Sequence, residues 1–238
     1  VGYASEQEIQ DGLTNGDMFA WAELKGKIDD ELKKVTMAFK YFRDQQLDLN
    51  PDNQSLVETK AEVKKRLAAI RTLLDDQLYD KKSGKKKAQW LTDTQPFHWY
   101  TEFYPIMAER GGFDVIIGNP PYVEYSDNKF SYSVAPTAYK TRKAANLYAF
   151  VSERSKRIAS KPDSMIGLIV QISSIATPAM ETMCTLAKSD VHRLWVSNYA
   201  TRPSSLFEGV CMNLTIHLSQ VAPEENGTIY STQYNRWT

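Results

Sequence analysis

Phe113-Asp114-Val115-Ile116-Ile117-Gly118-Asn119-Pro120-Pro121-Tyr122-Val123 is the stretch whose reading decides the fold. Three β-branched residues, Val115, Ile116 and Ile117, stand between Gly112 and Gly118, and the run stops at two prolines. A short apolar run closed by Gly and Pro reads as a buried parallel strand. The loop after it is rigid, because Pro120 and Pro121 each fix φ near about −65° and each push the preceding residue into an extended conformation. Asn119 is therefore held at the carboxyl end of a strand, the edge at which open α/β sheets bind ligands.

The loop has a chemistry of its own. The Asn119 amide oxygen and the Pro120 carbonyl are two acceptors close together, and an –NH2 group carries two donors to match them. An amine on an aromatic ring has its lone pair delocalised into that ring. Holding both N–H groups out of the ring plane frees the lone pair for attack, and Tyr122 offers a flat face on which the ring can stack. The plain alternative is a proline-ended β–α turn with a half-buried tyrosine.

Working outward, Leu24, Ile28, Leu32, Val35, Phe39 and Phe42 recur at helical spacing and predict a helix over about 18–46. Leu47–Asp52 is a stop and turn, with Asp52 or Asn53 as N-cap. Val63, Leu67, Ile70, Leu74 and Leu78 predict a second helix over 53–80, so the pair forms an antiparallel hairpin. After Tyr122 comes an aperiodic polar segment, 123–145, a length that suggests function or mobility. A helix over 146–160 follows, with Leu147, Phe150, Val151 and Ile158 inward and Arg154, Lys156 and Arg157 outward. A buried strand is predicted at 165–173, a helix at 178–188 and a strand at 192–199. In Cys211–Ser219, apolar Met212, Leu214, Ile216 and Leu218 alternate with Asn213, Thr215 and His217, a strand with one half-polar face. The fold class is α/β, and the expected domains are 1–95, a helical arm, and 96–238.

Hydrophobic residues make up 42% of the 238 and charged residues 24%, which argues against disorder. No apolar run approaches the ~20 residues of a membrane span, so no membrane partner is expected. Cys184 and Cys211 form no CxxC, and a reduced cytoplasmic setting follows. His98, His192 and His217 share no ligand spacing, so no metal site is expected. Net charge is zero but unevenly spread. Residues 60–90 hold ten basic and four acidic residues, and 140–161 hold seven basic residues against Glu153 alone. Lys81, Lys82, Lys85, Lys86 and Lys87, in what reads as a mobile loop, and Lys140, Arg142 and Lys143 are candidate contacts to a phosphate backbone. The bland reading is that they form solvated surfaces.

Asn119-Pro120-Pro121-Tyr122 after a strand resembles the amine-binding motif of N6-adenine DNA methyltransferases. Together with Pro96-Phe97-His98-Trp99 and Gly111-Gly112 it resembles the large type IIG restriction–modification enzymes and their relatives in phage defence. Asn146-Leu147-Tyr148, Gly167-Leu168-Ile169-Val170 with Ser173, and Leu206-Phe207-Glu208-Gly209-Val210 continue the resemblance in order over 96–238. It implies the C-terminal half of a Rossmann-like class I methyltransferase sheet, ending in an antiparallel hairpin and preceded by the long helical hairpin. It implies S-adenosylmethionine as cofactor and double-stranded DNA as partner, with the target adenine flipped out of the duplex. Asn119, Pro120, Pro121 and Tyr122 would be catalytic, and Tyr122 and Phe207 would stack on the base. The family's Gly-rich cofactor turn has no counterpart here, and Asn119 would be the chain's contribution to a partial cofactor site. The chain is therefore expected to be an internal fragment. Its partners would be the rest of its own polypeptide: the cofactor half, a target-recognition domain and, in members that carry one, a nuclease.

Two other functions remain open. Asn-Pro-Pro-Tyr also serves enzymes that methylate glutamine amides in proteins or exocyclic amines in RNA. Alternatively, the fragment is a non-catalytic DNA-binding or scaffold module. The cysteines fit the adenine reading: a cytosine C5 enzyme would need a nucleophilic cysteine after a proline, and neither Cys184 nor Cys211 follows one.

Overall fold

The computed structural model describes residues 18–48, 52–79, 84–126, 129–130, 134, 138–159, 161–202, 205–209 and 211–232, with side-chain surroundings from residue 26 onward. The chain divides into two compact units, Val1–Phe103 and Tyr104–Thr238.

In the first unit, helix α1 spans Met18–Gln46 and helix α2 spans Asn53–Leu78. Asp52 caps α2, its carboxylate accepting from Gln54 N–H at 3.1 Å; this satisfies one of the donors every helix start leaves open. Ile28 and Val35 of α1 and Val63 and Ile70 of α2 are buried, the stripe that the spacing predicts. Leu24 falls outside the described side chains. Leu78, expected on the buried stripe, is exposed at the end of α2. Two elements escape the periodicity. Helix α3 spans Lys87–Thr94, and a single turn spans Trp99–Glu102. Neither carries an apolar stripe: α3 is held to α2 by the Lys87–Asp76 ion pair and to the residue just after α2 by the edge-on contact of Trp90 with Tyr79, centroids 5.6 Å apart, and at the turn the fully buried His98 meets Asp75 of α2 at 2.7 Å while Arg71 reaches Glu102 at 3.0 Å.

The second unit is a mixed sheet of five strands. β1 (Val115–Gly118), β2 (Met165–Gln171), β3 (Ser189–Tyr199), β4 (Leu214–Asn226) and β5 (Thr228–Ser231) lie in the order β1-β2-β4-β3-β5. β1 is parallel to β2, β4 is antiparallel to β2 and β3, and β5 is parallel to β3. The expected parallel start and antiparallel finish are both present. Helices α4 (Leu147–Ile158) and α5 (Glu181–Lys188) pack on one face. There Tyr148, Ala149 and Met183 close over Ile166, Leu168 and Val170 of β2.

Two burial expectations are corrected here, and β4 adds a finding on which the alternation alone is silent. β1 is not a buried strand. It stands at the end of the sheet, and although Ile116 packs on the core, Val115 is 56% and Ile117 84% exposed. Within α4, Val151 points out while Tyr148, Ala149, Phe150, Glu153, Ser155 and Ile158 are buried. In β4 the half-polar face is the covered one. Thr215, His217, Ser219 and Val221 are buried, and Leu218 is exposed. The reason is the neighbouring strand: Val170, Leu168 and Ile166 of β2 pair with Thr215, His217 and Ser219, so bulky aliphatic residues on β2 leave small or polar ones on β4 to fill the same layer. A cavity of about 30 Å³ remains under the helices, lined by Ser152, Lys156, Leu168, Met183, His217 and Ser219 among others. His217 Nε2 is buried there without a partner, and burial pulls the imidazole pKa down to about 4.

Candidate active site

The carboxyl edge of the sheet gathers the chain's distinctive residues by topology. β1 runs out at Gly118, so Asn119 follows on that edge. β2 ends at Gln171, opposite Leu214, and β3 ends at Tyr199, also opposite Leu214. The segment joining β3 to β4 therefore lies at the same edge as Asn119, and Phe207 is on it.

Asn119 and Pro121 are exposed, Pro120 is buried and Tyr122 is half-buried against the core. The Tyr122 hydroxyl donates to Asn119 Oδ1 at 2.7 Å and lies 3.1 Å from the Ile169 carbonyl. Its ring meets that of Tyr148 edge-on, with centroids 6.3 Å apart. Tyr148 is fully buried, and its hydroxyl lies 3.4 Å from Ser173 Oγ just past β2. Burial pushes both phenols above their usual pKa, so both remain protonated at neutral pH.

The loop is fastened on both sides. Before β1, Met165 N–H donates to the Asp114 carbonyl and Phe113 N–H to that of Ile158. The Asp114 carboxylate is ion-paired with Lys161 and Arg110, and the Lys161 bond holds its pKa below the ordinary range. Beyond Tyr122, Leu147 N–H donates to Val123 and Tyr125 N–H to Ala145, with a bridge between Glu124 and Asn146. Asn146 then caps α4, accepting from Tyr148 N–H at 3.3 Å. The predicted helix start is thus also the clamp on the chain leaving Tyr122.

The charge count marks Glu153 as the lone acid of its stretch but does not give it a partner. Its buried carboxylate accepts from Thr141 N–H at 2.9 Å, Thr141 Oγ1 at 2.8 Å, Lys140 N–H at 3.1 Å and Arg157 at 2.5 Å. Burial alone would raise its pKa, but these bonds outweigh burial and hold it below the usual range. They anchor the turn Lys140–Ala144 on α4.

This arrangement redistributes the basic stretches. Arg154 bonds the Tyr139 hydroxyl at 3.0 Å, and Arg157 lies over the Tyr139 ring. Lys156 caps α5 through the Leu186 and Ser189 carbonyls, and burial pulls its pKa down to about 8. These three are half-buried rather than outward as expected. Arg142 Nε bonds the Val134 carbonyl at 3.1 Å. Lys140 and Lys143 remain exposed. In the first unit Lys85 pairs with Asp93 at 2.6 Å and Lys87 with Asp76 at 2.5 Å, while Lys86 is exposed. Lys81 and Lys82 lie outside the described residues.

Phe207 is 37% exposed, and no ring contact joins it to Tyr122 among the described residues. No cofactor cradle is formed by the described residues either. A cradle needs glycine where backbone approaches the ligand at a strand–helix turn. The glycines with positive φ are Gly84, Gly111, Gly112 and Gly209, none directly after a strand, and the turn after β1 carries prolines instead. S-adenosylmethionine therefore does not fit these residues alone. Among the described residues no three His, Cys, Asp or Glu side chains gather as a metal site, and no helix is long and apolar enough to cross a membrane.

A mixed α/β sheet with an Asn-Pro-Pro-Tyr loop at its carboxyl edge defines a class, and comparison with known proteins narrows it. Residues 31–187 match the family described as Eco57I restriction-modification methylase. That is more than half of the chain, and the protein belongs to this family. No curated protein matches the sequence. Among solved structures, the chain is similar to a DrdV–DNA complex at 17% identity and a TM-score of 0.40, over 52% of this chain and 15% of that one. It is similar to a putative class I S-adenosylmethionine-dependent methyltransferase from Listeria monocytogenes at 15% identity and 0.35, over 50% and 36%. The ATP-dependent Type ISP restriction-modification enzyme LlaBIII bound to DNA gives 21% identity and 0.36, over 56% and 11%. The chain thus spans 15% and 36% of the first two proteins.

Proposed function

We propose that this chain is the amine-binding part of a DNA adenine N6-methyltransferase of restriction–modification type. The observation that carries the reading is Asn119, exposed at the carboxyl end of β1 and bonded through Oδ1 to Tyr122, in a chain of a restriction-modification methylase family. Asn119 Oδ1 and the Pro120 carbonyl would accept the two N–H groups of a flipped adenine and turn its lone pair out of the ring plane. Pro120 and Pro121 keep the two acceptors in place. Tyr122 would stack on the base, a contact worth roughly 1–3 kcal/mol, and Phe207, on the same sheet edge, is the candidate second aromatic. Alignment of nucleophile and methyl group is the main catalytic contribution, and no covalent enzyme intermediate is implied.

S-adenosylmethionine would supply the methyl group from a site in the rest of the polypeptide. Two observations support a further half against β1: its outer edge has no partner strand among the described residues, and Val115 and Ile117 are exposed. A parallel strand normally has both edges and both faces covered. We keep the division into a helical arm, 1–95, and a catalytic part, 96–238, as part of this proposal. Lys140, Lys143 and Lys86, exposed among the described residues, would suit DNA phosphates, and the protein would work in a prokaryotic cytoplasm.

The test is to express the full-length protein in a host without adenine methylation and sequence its DNA for modified bases. N6-methyladenine at one recurring sequence is expected. Asn119→Ala should lower that signal at least ~100-fold through loss of the amine's acceptor, with the thermal transition unchanged. Methyl groups found on protein glutamine or RNA instead, or full activity in Asn119→Ala, would sink the reading.

A further inference from the structure

A carboxylate that gathers four donors has no capacity left over. Glu153 Oε2 accepts from Thr141 N–H at 2.9 Å and Thr141 Oγ1 at 2.8 Å, and Oε1 accepts from Lys140 N–H at 3.1 Å and Arg157 at 2.5 Å. Each oxygen takes two donors, the number its lone pairs allow. Three of the four donors belong to Lys140 and Thr141, the first two residues of the 3-10 turn Lys140–Ala144. In such a turn side chains three residues apart eclipse one another. Exposure follows that period: Thr141 and Ala144 are buried, whereas Lys140 and Lys143 are exposed. The two lysines therefore leave the turn on one side, about 6 Å apart along its axis, while Glu153 ties the turn to α4. The turn leads into Ala145 and Asn146, which hold the chain leaving Tyr122. The two cations thus stand on a segment fastened to the candidate base-binding loop.

We propose that Glu153 is a positioning residue for DNA binding: it seats the turn so that Lys140 and Lys143 act as one pair on the phosphate backbone beside the target base. This rests on the reading of duplex DNA as the partner. The sign is the opposite of what charge alone gives. Removing an acid from a basic stretch should strengthen attraction to phosphates, and here it would also remove the carboxylate facing Arg157. Through the turn, its removal has the reverse effect, because the two lysines lose their shared placement. Glutamine keeps the outline of Glu153 but brings one acceptor oxygen and two donors of its own, too little for four donors.

The experiment measures the affinity of the full-length protein for two duplexes over about 0.05–0.3 M salt. One carries the methylated sequence found by the sequencing above, and the other is unrelated. Lys140→Ala combined with Lys143→Ala changes only exposed side chains. It should flatten the slope of log affinity against log salt by about 2 and weaken both duplexes by one common factor, about 10- to 100-fold at ~0.1 M salt. Glu153→Gln should shift slope and affinity in the same direction, by at least about half as much on the logarithmic scale. Placed on the double lysine variant, it should add less than about twofold. Thr141→Val deletes one of the four donors with little change of shape and should weaken both duplexes about two- to threefold; it carries the test if Glu153→Gln does not fold. An unchanged slope in the double lysine variant overturns the proposal. So does equal or tighter binding in Glu153→Gln or in Thr141→Val, or a loss in Glu153→Gln that persists in full without the two lysines. A wild type that binds neither duplex would overturn the DNA reading itself, and this proposal with it.

Discussion

The two faces of the sheet differ in a way that reverses what their composition suggests. The face under α4 and α5 carries Thr215, His217 and Ser219 and is buried, whereas the other face leaves Leu218 and Ile117 exposed, although Leu214 at its carboxyl edge is buried. On the exposed face one row crosses all five strands, pairing Ile117 with Gly167, Gly167 with Leu218, Leu218 with Trp195 and Trp195 with Tyr230. Its apolar residues are exposed by 84% at Ile117, 39% at Leu218 and 47% at Tyr230. Burial is decided by which helices close over a face, not by the average polarity of that face. Polar residues on the covered side are tolerated because β2 supplies Ile166, Leu168 and Val170 beside them.

The largest effect that would break this comparison is at Leu168, which is 5% exposed in the core. Leu168→Ala should destabilise the protein by about 3 kcal/mol in denaturant unfolding, through lost transfer energy and the cavity left behind. A loss under about 1 kcal/mol would mean the covered face is not the core.

His217 comes next. Its folded pKa, about 4, lies below the ordinary value of 6.5. Between those values the unfolded chain binds more protons than the folded one, so stability falls as pH drops from about 6.5 to about 4. By linkage the loss over that window is on the order of 3 kcal/mol. His217→Leu should remove this part of the pH dependence. At pH 7 it should hold or raise stability by about 1 kcal/mol, because the buried Nε2 has no partner to lose. A pH profile identical to wild type would show that His217 is not the titrating group.

The smallest effect sharpens the contrast. Ile117→Ser removes an apolar side chain that is 84% exposed in this chain, and should cost no more than about 0.5 kcal/mol here. In the full-length protein the same substitution should cost clearly more if a further half packs on β1. Equal small losses in both would place that half elsewhere.

What was legible in the sequence is what a few consecutive residues encode. Helices α1 and α2 follow from three- and four-residue apolar spacing, their junction from Asp52, the start of α4 from Asn146, and the rigid loop after β1 from two prolines that fix their own φ. The order of strands and helices from β1 to β4 follows from the same local signals, as does the position of Asn119 at a strand's end. Helix α3 and the turn at Trp99 were not legible, because eight and four residues leave too little length for a period to emerge.

Only the tertiary structure decided which partner each residue found. Glu153 reaches Arg157, Lys156 reaches Ser189, and Lys161 reaches Asp114, so part of the positive charge at 140–161 is consumed inside the fold. The same long-range packing determined which alternation of β4 was covered, and it left β1 at the sheet's edge. The physical reason is range: dihedral restriction and helical spacing act over a few residues, whereas burial and charge pairing join groups separated by tens of positions.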